Sequence, residues 1–200
     1  MTDTGGVARL RTFIKALTNR ANAEGDTDSE AFVNFCRSQL VDLISSDDWL
    51  PEEFAAAHPE HYQQYLLHCD PLERFSLISF VWGPGQKTPV HNHGTWGLIG
   101  MLRGSEISQG YEVSEQEPGL VPTRHEVLNP GDIAYVSPEA GDIHEVINSF
   151  DDRVSISIHL YGANIGLVER SVYEPASGRS RPFVSGYASS RTPNIWGLSV

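Results

Sequence analysis

Cysteine is nearly absent: Cys36 and Cys69 are the only two in 200 residues. That is too few for the disulfide framework of a small secreted domain, and it favours a reducing, cytoplasmic setting. Basic residues are also scarce, with 14 Lys and Arg against 26 Asp and Glu and a formal net charge of -12. Lacking a Lys/Arg cluster, the chain has no electrostatic footprint for nucleic acid or an anionic membrane surface. No apolar run approaches the roughly 20 residues that span a bilayer. The opening MTDTGGVARL carries an acid early and no apolar stretch, so no signal peptide is expected. Internal repeats and low-complexity segments are missing as well.

What is present suffices for one sizeable core, since 40% of residues are apolar and 20% charged. Residues 1–6 read as a frayed end. From Val7 to Ala21, Leu10, Phe13, Ile14 and Leu17 recur at helical spacing. After a polar break, with Asp28 or Ser29 as N-cap, a second helix is expected from Ala31 to Ser45. Its apolar stripe is Phe32, Phe35, Cys36, Leu40, Leu43 and Ile44. Pro51 is expected to open a third helix through Ala57, and a fourth covers Pro59 to His68. The character changes near Phe75. Strand-like runs separated by Gly, Pro, Asn and Asp follow to about Tyr161: FSLISFVWG, WGLIGMLRG, SEISQGYEV, HEVLNPGD, IAYVSPEAGD, HEVINS and RVSISIHLYG. Many short strands at turn-separated spacing indicate a sandwich or barrel. VERSVYEP adds one more strand, and the remaining tail reads as loop. The expected organisation is mainly β, with a helical cap over residues 1–70 and a barrel with tail over 71–200 forming one structural unit.

The chemistry centres on WGPGQKTPVHNHGTWGLIGMLRG, residues 82–104. His91 and His93 are two apart in a β-like setting, and a period of two points both side chains to one face. Paired histidines on a buried strand suit metal ligation better than packing. Further on, SISIHLYG places Ser157, His159 and Tyr161 on one strand face and Ile156, Ile158 and Leu160 on the other. A polar triplet facing inward needs mutual hydrogen bonds or a ligand, whereas on a solvated face it would be ordinary.

Gly85-x5-His91-x-His93, followed by Gly97 and Gly104 and then by Gly131, Pro138 and Gly141-x2-His144-x3-Asn148, resembles the two cupin motifs. The resemblance implies a double-stranded β-helix barrel holding a metal on His91, His93 and His144. Three neutral imidazoles leave coordination positions open for substrate and oxygen. Gly97 stands where the usual motif has a Glu ligand. Loss of that carboxylate leaves a more positive metal, suited to an anionic ligand such as a thiolate.

With SxHxY added, the pattern resembles the thiol dioxygenases, the cysteine dioxygenase family, over nearly the whole chain. That resemblance implies Fe(II) on the three histidines, a Ser157–His159–Tyr161 relay with the tyrosine hydroxyl nearest the iron, and a small thiol and O2 as substrates. In animal members a cysteine crosslinks to the relay tyrosine. Gly97 takes its place here, so no crosslink forms. Such thiols carry a carboxylate, for which arginine is the best bidentate partner. Cysteine dioxygenases supply one from a YxR segment, and Gln64 of Tyr62-Gln63-Gln64 stands at that position. A bacterial group with Gln there, similar to 3-mercaptopropionate dioxygenase, carries its substrate arginine after the relay in NIGxVxR, which Arg170 in NIGLVERSV fits.

The alternatives are an L-cysteine dioxygenase and a metal-binding cupin without turnover, the latter having no need of a relay tyrosine. For Arg170 the alternative is a surface salt bridge with Glu169 or Glu145. His58, His61, His68 and His125 read as surface or capping residues. Cys36 reads as a small buried hydrophobe, and Cys69 lacks an activating neighbour. Trp82 and Trp96 are expected to pack, with Trp96 also a possible pocket wall. Glu145 should point away from the metal. Oligomeric state is open.

Overall fold

The computed structural model describes residues 6–196. The frayed end expected over 1–6 lies, apart from Gly6, outside the described residues. Helix α1 (Val7–Glu24) buries Leu10, Phe13, Ile14 and Leu17 as its spacing predicts, and ends at left-handed Gly25. Helix α2 (Glu30–Ile44) is capped by Ser29, whose hydroxyl accepts from Phe32 N at 3.2 Å. Val33 takes the buried place expected of Phe35. The Phe35 ring instead lies under the Arg20 guanidinium, 5.3 Å away.

The next two expectations fail. Pro51 to Ala57 holds only one 3-10 turn, Glu52–Phe54. Phe54 is the sole side chain it sinks fully into the core, too little to hold a longer helix. Residues 59–68 are not helical either. Gln63–Cys69 forms strand β1, an edge strand in antiparallel register with the strand that follows. Ladder hydrogen bonds and burial of Leu67 override whatever helical preference QQYLLHC carries alone.

The remaining strands are β2 (Ser76–Trp82), β3 (Val90–His91), β4 (Gly97–Arg103), β5 (Glu106–Val113) and β6 (Leu120–Leu128). They continue as β7 (Ile133–Val136), β8 (His144–Asn148), β9 (Ser155–Tyr161), β10 (Arg170–Tyr173) and β11 (Ser180–Phe183). The last falls where the sequence suggests loop. It is a short, exposed edge strand containing Pro182, with none of the apolar alternation that marks an inner strand. Two antiparallel sheets, ordered β1-β2-β9-β4-β7 and β11-β10-β3-β8-β5-β6, face each other as the expected rolled β-barrel.

The five-stranded sheet is covered on both sides, which explains why every residue of β2 and β9 is buried. Its outer face gives Leu77, Val81, Leu98, Ile156, Ile158 and Leu160 to a core shared with α1 and α2. Each such aliphatic side chain contributes about 1.5–3 kcal/mol over the exposed state. Gly100 lets α2 approach, because a Cβ there would meet Ile44 Cδ1 at 3.1 Å. The inner face carries Ile78, Phe80, Trp82 and Tyr161 toward Val146 of β8, and Ile99, Met101, Ala134 and Val136 toward Leu128 of β6. Among the described residues no helix is long and apolar enough to cross a membrane.

The β1–β2 turn is built on Asp70, which is 2% exposed. Its carboxylate accepts from Leu72 N at 3.0 Å and takes the Arg74 guanidinium through two 2.8 Å bonds. Arg74 also donates to Asn22 Oδ1 of α1 at 2.9 Å, tying the hairpin to the helical layer. The hydrogen bonds from Arg74 hold the Asp70 carboxyl below its ordinary pKa. Asp70→Asn is expected to cost on the order of 1–3 kcal/mol in urea unfolding at neutral pH. The stabilisation is present above the unfolded-state pKa of about 4 and fades as pH falls through the lower native value. Wild type and variant should therefore converge in acid.

Candidate metal centre and relay

Strand β3 has only two residues, and its register sets His91 directly opposite His144 of β8. His93 lies past the strand end, so simple alternation does not aim it. A turn does: Asp142 Oδ2 accepts from His93 N at 2.8 Å and Gly94 N at 2.9 Å, folding His93 back toward the pair. The three rings are equidistant, with centroids 4.9 Å apart in each pair. One ring nitrogen from each lies within 4.8 Å of the others.

Each Nδ1 is tied outward to a different anchor. His91 Nδ1–H donates to Pro89 O at 3.0 Å, His93 Nδ1–H to Asp142 Oδ1 at 2.7 Å, and His144 Nδ1 meets Ser108 Oγ at 3.0 Å. This leaves the three Nε2 atoms as the free donors, the outer-partner pattern of metal-ligating histidine. Burial, then the neighbouring His93, pushes the His91 pKa down to about 3. Burial and the other two imidazoles drive His144 well below the histidine range. Burial is the largest influence on the Asp142 carboxyl and raises its pKa, but the His93 side-chain contact and the backbone N–H groups of His93 and Gly94 together outweigh it and keep the acid below its ordinary pKa. Converging imidazoles of this kind fit a divalent transition metal.

Beside them the polar face of β9 is buried, which removes the solvated alternative. Ser157 Oγ lies 2.8 Å from His159 Nε2, and His159 Nδ1 lies 2.8 Å from the Tyr161 hydroxyl. Tyr161 stacks on His93 with centroids 5.4 Å apart, and burial raises its pKa so that the phenol stays protonated. Gly97 makes this placement possible: a Cβ there would come within 2.7 Å of Tyr161 Cε1. Trp82 joins the chain by donating from Nε1 to Ser157 Oγ at 3.4 Å, and Phe80 lies against His159 at 4.1 Å.

Arg170 begins β10 and is 6% exposed, so it is not a surface salt-bridge residue. Nη2 donates to Ser185 Oγ at 2.6 Å, Nε has no partner, and the guanidinium lies 4.7 Å over the Phe183 ring. It forms no ion pair among the described residues. Burial lowers its pKa, opposed by Tyr161, Tyr62 and Asp142. Gln64 donates to the same Ser185 hydroxyl at 3.0 Å and to Gly186 O at 2.7 Å, so it reaches Arg170 through Ser185. The tail responsible is strapped down by Gly186 N to Gly166 O and Ala188 N to Gln64 O.

Asp142, Ser108 and Ser185 were not singled out from sequence, and Trp82 was expected only to pack. Asp142 could have been, as a turn acid two residues before His144. Trp96 is a packing residue, donating to Thr27 O and Asp28 Oδ1 in the α1–α2 connection. Glu145 points outward, bonded to Tyr111 and Lys87. Cys36 is buried, its thiol pushed up to about 12 by burial, and burial lifts Cys69 to about 11. Exposed Glu60 and His61 sit with His58 in a second possible ligand set, but His58 Nδ1 is occupied by Glu60 N. Asp142→Asn should lower metal affinity about 10–100-fold while leaving three imidazoles in place. Competition with a chelator checks this.

The family comparison agrees with the geometry. A family model for cysteine dioxygenase type I matches residues 27–170. Cysteine dioxygenase type 1 of Danio rerio is 26% identical over 117 residues, which is 57% of this chain and 56% of that protein. The chain thus spans little more than half of that relative's length. Among solved structures, TT1209 of Thermus thermophilus superposes with a TM-score of 0.43 at 21% identity, covering 56% of this chain and 92% of that one. An uncharacterised Klebsiella pneumoniae protein with a double-stranded β-helix domain gives 0.44 at 18% identity, covering 61% and 89%. The family match takes in all three histidines, the relay and Arg170, and the chain belongs to the cysteine dioxygenase type I family.

Proposed function

We propose that the protein is a non-haem Fe(II) thiol dioxygenase acting on a small thiol carboxylate, with 3-mercaptopropionate as preferred substrate and 3-sulfinopropionate as product. The balance is R–SH + O2 giving R–SO2H. One observation carries the reading: a buried guanidinium without an ion-pair partner among the described residues stands beside a cluster of three converging imidazoles. Such a cation is costly to bury unless an anion joins it. When bound at the three Nε2 atoms, iron would supply the redox chemistry that lets O2 react with sulfur.

The chain's own residues do the rest. Arg170 anchors the substrate carboxylate through the donors that Ser185 does not take, which fixes the position of the thiol. Gln64 holds Ser185, and through it the guanidinium. Tyr161, kept protonated by burial, donates a hydrogen bond to the oxygen being transferred. His159 and Ser157 hold that phenol. Stacked Tyr62, Phe80 and Trp82 wall the site and exclude water.

Two features favour a substrate lacking an α-amine. Gln64 offers no second cation for an amino acid's carboxylate. Asp142, the carboxylate nearest in electrostatic reach of Arg170, is committed to His93 and so is not free to hold an ammonium group. Both cysteines are free, in keeping with a cytoplasmic enzyme.

At equal iron content, 3-mercaptopropionate should exceed L-cysteine in kcat/KM by at least about tenfold, roughly 1.4 kcal/mol. An advantage of that size for cysteine contradicts the substrate assignment. Arg170→Ala should raise KM by a factor on the order of ten to a hundred. Tyr161→Phe should retain iron and lower kcat. Loss of iron in both variants would contradict the roles.

A further inference from the structure

A cavity of about 260 Å3 lies against His144, and its lining includes neither Arg170 nor the relay residues. Its mouth is exposed, at Glu112 of β5, Arg124 of β6 and Gly141 of the β7–β8 turn. Its floor is buried and apolar, formed by Leu128, Ala134, Val136 and Val146. Glu106 and Ser108, two apart on one face of β5, bring polar groups to this lining. Glu106 is 0% exposed. Its Oε1 accepts from Ser155 Oγ at 3.1 Å, whereas Oε2 is buried and has no hydrogen-bond partner. Its cross-strand neighbours, Leu128 of β6 and Asn148 of β8, bring it no cation. Arg124, the only Lys or Arg of the lining among the described residues, is paired with Glu126. With Glu112 the lining thus holds three carboxyl groups against a single guanidinium.

We infer that this cavity binds a small organic ammonium ion, with its hydrocarbon body on the apolar floor and its charged head on Glu106, and that its occupancy is felt at His144 through Ser108. A buried carboxyl with an open acceptor position is costly unless a donor joins it, and a cation is the partner that repays most. An anionic ligand would meet Glu106 and Glu112 instead. A neutral alcohol satisfies one hydrogen bond and gains nothing from the charge. Size sets a limit as well. An apolar cavity of about 150 Å3 encloses benzene, so one of about 260 Å3 holds a body of roughly ten non-hydrogen atoms. The link to the histidine cluster is a shared wall. Ser108 lines the cavity and its Oγ meets His144 Nδ1 at 3.0 Å. Gly141 at the mouth directly precedes Asp142, which holds His93. Outer partners of this kind tune a bound metal.

The site is separate from the Arg170 anchor, and its test does not depend on thiol turnover. Cobalt-loaded protein is titrated with benzylammonium chloride and, separately, with benzyl alcohol, following heat and the visible bands of the metal. Benzylammonium should bind once per chain and at least about tenfold more tightly than the alcohol, the worth of one charged hydrogen bond. Glu106→Gln should bring the two affinities together by weakening the ammonium alone. Ala134→Phe, which fills the floor, should remove both. Equal affinities in wild type, or a preference for the cation that survives in Glu106→Gln, overturn the site. Should neither variant fold, the wild-type comparison decides. The cobalt bands should shift as benzylammonium binds and saturate at the same concentration as the heat. Unchanged bands at saturation overturn the link through Ser108. A shift that persists unaltered in Glu106→Gln marks coordination of the amine to the metal and overturns the inference.

Discussion

The centre of the molecule depends on the outward tethering of three Nδ1 atoms. A backbone carbonyl, a carboxylate and a hydroxyl hold His91, His93 and His144. Each tether fixes a ring plane, and the carbonyl and the carboxylate also fix the tautomers of His91 and His93, so the three Nε2 atoms have no freedom to turn away. Burial supplies the other half of the arrangement, lowering the pKa of His91 and of His144. The result is a preorganised ligand set. A charged carboxylate is absent at Gly97, where a side chain would collide with Tyr161.

The same economy of space explains β9. Its residues Ser157, His159 and Tyr161 form the relay and its even-numbered residues bind the helical layer. Packing of Ile156, Ile158 and Leu160 against α1 and α2 therefore positions Ser157, His159 and Tyr161, and a shift in either layer is felt in the other. The tail performs the matching task for Arg170. Ser185, Gly186 and Ala188 clamp Gln64 and Arg170 together from outside the barrel.

Much of this was legible in the sequence because periodicity carries it. The α1 stripe, most of the strands between Ser76 and Tyr161 and the two faces of β9 follow from spacing alone, whereas β6 begins at Leu120, ahead of the run read from His125. Residues 63–69 were misread because an edge strand owes its form to its partner, and β11 because exposed Ser-Arg-Pro-Phe has no pattern to read. His93 reached the right place by an unexpected means, a turn held by Asp142. Contacts of this kind, including Ser108 on His144, join residues 36 to 49 positions apart, and no local pattern encodes them. The resemblance to thiol dioxygenases supplied the roles of Arg170 and Gln64; their meeting at Ser185 is visible only in three dimensions.

The most direct measurement is X-ray absorption at the iron edge of the loaded protein, with and without 3-mercaptopropionate. The spectrum of the protein alone should show scattering from three imidazoles and no sulfur, and a sulfur neighbour should appear when the thiol is added. Fewer than three imidazoles, or no sulfur with saturating thiol, would contradict a three-histidine centre built to receive a thiolate.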